Sequence, residues 1–96
     1  MMSMKESYEQ KLQAEMHRLQ AEIEKLKAQA ESTNADIKIN FNEQLNKLKE
    51  NQQQAQDKLD EIRRTSDEAW EDLKIGAQES FDILSESVKS AVSRFL

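Results

Sequence analysis

His17 is the only histidine and there is no cysteine, so the side chains that most often bind metals or serve as nucleophiles and general bases are nearly absent. The helical neighbours of His17 are Leu12, Gln13, Gln20 and Ala21, none of which is a carboxylate that could complete a metal site or orient the imidazole. Two acidic groups, Asp57/Asp60/Glu61 and Glu68/Glu71/Asp72, concentrate negative charge. Neither carries the glycine-bearing loop of a calcium site, so both read as solvated helix faces. No glycine-rich phosphate loop, nucleophile elbow or Ser/His/Asp set is present. These residues predict a non-enzymatic protein with no catalytic residue, no metal site and no cofactor.

The elements that would position such groups are the more legible part of the chain. Its 96 residues include no proline and one glycine, Gly76, so a helical stripe can run far without losing a backbone hydrogen bond. With 36% hydrophobic and 34% charged residues, the chain is too polar for a conventional globular core and suits an elongated or oligomeric all-α assembly. A periodic apolar face argues against disorder.

Charge narrows the partners. The net charge is -5, and residues 65–96 carry three Lys/Arg against seven Asp/Glu, while residues 1–64 are nearly balanced. Nucleic acid is excluded as a partner on that ground. The N-terminus meets Lys5 and Glu6 at once and has no apolar core of a secretory signal, and no stretch nears the roughly 20 apolar residues of a membrane span. The expected location is cytoplasmic.

Alternating steps of four and three pick out Leu12, Met16, Leu19, Ile23, Leu26 and Ala30, with Tyr8 one step before them and Ile37 a heptad after Ala30, the spacing of a coiled-coil seam. Beyond Ile37 the frame slips to Phe41, Leu45, Leu48, Ala55, Leu59 and Ile62. Leu26 to Ile37 and Ala30 to Phe41 are both eleven-residue steps, which straighten a supercoil without ending the helix. One helix is therefore expected over about residues 4–64. Residues 32–36, rich in cap formers, are the objection; a turn there would make an up-down-up three-helix bundle. Gln52 and the polar run around it read as a weakly packed, solvated stretch.

The clearest break follows at residues 64–67. Thr65 stands three before Glu68, the spacing of a reciprocal helix cap that also involves Ser66, and Arg63 and Arg64 suit the end of the preceding helix. A second helix over about 67–95 carries Trp70, Leu73, Ala77, Phe81, Leu84, Val88 and Phe95 on one wide face. Folded back, it packs on Phe41, Leu45, Leu48, Leu59 and Ile62 in a lopsided antiparallel hairpin, all within a single coiled-coil domain. The longer helix would span about 90 Å at 1.5 Å per residue, leaving the stripe from Tyr8 to Ala30 uncovered. An antiparallel homodimer with its dyad near Asn34 would cover it.

Residues 3–12, 35–39, 67–76 and 87–95 resemble a family of small bacterial coiled-coil proteins associated with stress responses. The most specific parts are Ala69-Trp70-Glu71-Asp72-Leu73-Lys74 and the ending Ser93-Arg94-Phe95. Where similar proteins have a second aromatic beside Phe41 and a charged last residue, this chain has Asn40 and Leu96. The resemblance implies a stress-linked structural or interaction protein and carries over no catalytic residue. Two function readings follow. One is a self-associating scaffold; the other is an amphipathic helix that binds a lipid or granule surface through Trp70, Phe81, Val88 and Phe95, disfavoured because only Lys74, Lys89 and Arg94 are basic there.

Overall fold

Ser3 opens the first helix by accepting a hydrogen bond from the Glu6 backbone N–H at 3.1 Å, which satisfies one of the donors a helix start leaves free. In the computed structural model, which describes residues 2–96, helix α1 then runs Met4–Glu31, α2 Ala35–Arg64 and α3 Glu71–Phe95. The described residues form no strand. The protein is all-α.

The continuous helix expected over 4–64 is broken at residues 32–34. Ser32 ends α1 with its own N–H bonded to Gln29 and Ala30 carbonyls, and the extended Asn34 (φ -73°, ψ 163°) restarts the chain by accepting from Ile37 N at 3.1 Å. Side-chain capping therefore outweighs the absence of glycine and proline. The dimensions agree, since the molecule measures 51 × 21 × 18 Å, shorter than the roughly 90 Å of an unbroken helix.

Each helix touches the other two. Lys5 reaches Arg63 and Gln20 meets Gln52, so α1 and α2 run antiparallel. Phe41 stacks on Phe95, with ring centroids 4.0 Å apart, so α2 and α3 are antiparallel as well. Tyr8 bonds to Gln78 near the start of α3, leaving α1 parallel to α3. The seam residues Tyr8, Leu12, Met16, Leu19, Ile23, Leu26 and Ala30 are consequently buried at 0–7% exposure inside one chain. The stripe expected to lie in water is covered. Ile37, placed on that seam by spacing, is 45% exposed because the new helix start turns it away.

Phe41, Leu45, Leu48, Ala55, Leu59 and Ile62 from α2 complete the core with Trp70, Ala77, Phe81, Leu84, Val88 and Ala91, while Leu73 and Phe95 pack at its edge. Among the described residues no polar side chain is buried. The polar run at 51–54 is nevertheless not simply solvated: Asn51 donates to Ser87 Oγ at 2.8 Å, and Gln52 donates to Gln20 Oε1. Two half-buried amides thus tie α2 to both neighbours at mid-height, fixing which turns of the helices meet.

Candidate functional site

Residues that could do chemistry remain dispersed. His17 is exposed, with its Nε2 3.1 Å from Gln13 Nε2, and among the described residues no group of three or more His, Cys, Asp or Glu is arranged to hold a metal ion. What the fold does build is two unlike connections and one unlike face.

The second connection, residues 65–70, is held from several directions. Thr65 does not cap the following helix as its spacing to Glu68 predicts. Its hydroxyl donates back to the Glu61 carbonyl at 2.6 Å, closing the end of α2. Ser66 takes over, its hydroxyl accepting from Ala69 N at 3.3 Å and its carbonyl from Ala69 and Trp70 at 3.2 Å. These bonds make a tight turn ahead of α3, which starts at Glu71 rather than at residue 67. Glu68 is exposed. From α1, Lys5 Nζ donates to the Arg63 carbonyl at 3.2 Å and approaches Asp67 at 4.0 Å, placing a cation at the negative end of α2.

Trp70 then anchors the turn. It is buried, and its ring lies 5.6 Å from the Tyr8 ring at 37°. Lys74 Nζ sits over both rings, 5.3 Å from Tyr8 and 5.6 Å from Trp70, a cation–π arrangement. The Tyr8 hydroxyl donates toward Gln78 Oε1 at 3.2 Å, with the Lys74 carbonyl at 3.4 Å. Burial pushes the Tyr8 hydroxyl above its ordinary pKa of 10.0, and the charges of Asp82 and Glu15 push in the same direction.

The first connection has nothing comparable. Ser32 N and Thr33 N bond to Gln29 and Ala30 carbonyls at 3.2 and 3.4 Å, Ser32 Oγ bonds to the Gln29 carbonyl, and Asn34 caps Ile37. Each of these bonds spans three residues. Ser32 and Asn34 are exposed, and no described residue, glycine included, has a positive φ. The three residues therefore need no special backbone to be rebuilt as helix.

The unlike face is the outside of α3. Ile75 is 72% and Ile83 53% exposed, and helical spacing sets them among the exposed Asp72, Glu79, Asp82 and Glu86. Sequence reasoning passed over both isoleucines because the buried stripe of this helix is already wide. A helical wheel centred on Glu79 would have found them. On α1 and α2, by contrast, charges are matched locally: Glu15 with Arg18, Glu22 with Lys25, Glu24 with Lys27, and Asp60 with Arg63, each three apart and within 4.0 Å. Of the four-apart pairs the spacing offers, Lys5 and Glu9 meet at 3.6 Å. The four three-apart pairs named place acid before base, the order a helix dipole favours, whereas Lys5/Glu9 and Lys58/Glu61 run the other way.

No protein-family model, curated protein or solved structure matches the chain.

Proposed function

We propose that this chain is a non-enzymatic helical scaffold protein that self-associates by exchanging α1 between two copies, with a stress-linked role implied by its resemblance to the bacterial family. The observation that carries the reading is the first connection: three residues, bonded only to their own neighbours, joining two helices whose apolar frames meet across eleven-residue steps. If residues 32–34 become helical, α1 and α2 form one long helix. The α1 of a second copy then fits against α2 and α3 through the contacts that α1 makes within its own chain. Closed monomer and antiparallel dimer share one contact set, which is the condition for domain swapping.

The antiparallel homodimer expected from the seam is this exchanged form, with its dyad near Asn34. A cytoplasmic setting belongs to the same reading. The lipid- or granule-surface alternative draws less support, since Trp70, Phe81 and Val88 lie buried and the free face of α3 is acidic. Among the described residues no helix is long and apolar enough to cross a membrane.

Light scattering over a range of concentrations tests the proposal with two hinge variants. Asn34→Ala removes the cap that restarts α2 and should raise the dimer fraction. Lengthening residues 32–34 with a Gly/Ser insert should lower it. A chain that stays monomeric at every concentration, with neither variant changing its mass, would refute helix exchange.

A further inference from the structure

Gly76 is the only glycine in the chain, it lies inside α3, and a Cβ built there would meet nothing within 4 Å. Helix interiors disfavour glycine relative to alanine, and here no packing against α1 or α2 calls for it. Its i−4 and i+3 neighbours on the helix surface are Asp72 and Glu79, with Ile75 one residue before it and Ile83 two turns on. The notch it leaves therefore borders two carboxylates at the edge of the face that carries the exposed Ile75 and Ile83. Among the described residues, none of Asp72, Glu79, Asp82 and Glu86 has a Lys or Arg within 4.0 Å.

We infer that the outer face of α3, which carries Ile75 and Ile83 with the Gly76 notch at its edge, docks a basic amphipathic helix of another protein. Ile75 and Ile83 lie about 12 Å apart along the axis, the length of two helical turns, so they match apolar residues repeated at seven- or eight-residue spacing on the partner. The carboxylates match Lys or Arg flanking that apolar row, and the missing Cβ at residue 76 lets a partner side chain approach the backbone closely. Charge chooses the occupant. A second copy presenting the same face would bring acid against acid, and an anionic lipid surface would be repelled. The face lies on the helix that exchange leaves in place, so monomer and dimer would both present it, and its failure would leave helix exchange untouched.

The test uses a fluorescently labelled synthetic peptide of Lys and Leu with Leu at heptad spacing, its scrambled counterpart, and the full chain. Anisotropy titration should show binding of the patterned peptide that weakens with salt. Affinity should fall about tenfold or more for the scrambled peptide and for the Ile75→Ser/Ile83→Ser double variant. Gly76→Leu should also weaken binding while leaving the helical circular dichroism intact. Equal binding of the scrambled peptide, an unaffected double variant, or no binding at all would overturn the inference. So would a dimer of the free chain abolished by the same double variant, because that would give the face to a second copy.

Discussion

The two connections between helices do the same topological job with opposite physics. Residues 65–70 are cross-tied to α1 through Lys5 and through Tyr8 against Trp70, so opening this turn would dismantle an aromatic cluster and a helix cap together. Residues 32–34 touch no helix but their own two through the hydrogen bonds described. Both turns are well defined locally, yet only the second is also held by contacts from another helix. Definition comes from capping; permanence comes from contacts made by other elements.

Substitutions should break or sharpen that contrast in order of size. Trp70→Ala should destabilise by about 3–5 kcal/mol, the usual cost of truncating a buried aromatic, measured by urea unfolding. A loss under about 1 kcal/mol would mean that the second connection is not anchored as described. Asn34→Ala should cost the closed form about 1 kcal/mol through loss of its cap, accompanied by a rise in dimer mass that Trp70→Ala does not produce.

Tyr8→Phe probes the anchor from the other side. Loss of a hydrogen bond of this kind costs about 0.5–1.5 kcal/mol. Because the folded protein raises the Tyr8 pKa above its ordinary value of 10.0, the neutral hydroxyl is the form the fold favours. Its contribution is complete below pH 10 and is lost as pH rises from there through the folded-state pKa. Melting temperature should therefore fall more steeply above pH 10 in the natural chain than in Tyr8→Phe. Tyr8 is the only tyrosine, so its ultraviolet titration can be followed without another phenol. Parallel curves for the two proteins would remove Tyr8 from the anchor. At the small end, Gly76→Ala should stabilise by up to about 1 kcal/mol, read as a higher melting temperature; destabilisation would reveal a packing role that the open space around residue 76 does not suggest.

Much of this architecture was legible before any coordinates. The all-α class, the apolar stripe and the break after Arg64 follow from periodicity and cap chemistry, and almost every stripe residue is buried. The turn at residues 32–34 was harder for a physical reason. An eleven-residue step in the apolar frame places the same residues on one stripe whether the helix continues or folds back, so only the partner of that stripe distinguishes the two. The cap signals of Ser32 and Asn34 were visible, but the lack of glycine and proline weighed against them.

The capping pattern also misled where it looked strongest. Ser3/Glu6 and Thr65/Glu68 have the same spacing, yet Ser3 caps forward while Thr65 bonds back to Glu61. The difference lies in what precedes each residue. Thr65 has a helix end with free carbonyls behind it, whereas Met2, just before Ser3, is not helical. The outer face of α3 escaped notice because Ile75 and Ile83 lie outside the buried core, and periodicity finds residues through their shared burial.

Helix exchange is tested most directly by mixing two singly labelled chains. The absence of native cysteine allows Ala14→Cys to carry a donor and Asp57→Cys an acceptor, both at exposed positions on the antiparallel pair α1 and α2. After the mixture is warmed and cooled, energy transfer between chains should appear in the fraction of dimer mass and rise in Asn34→Ala. A dimer fraction without transfer between chains, or a mixture that remains wholly monomeric, would contradict exchange of α1 about residues 32–34.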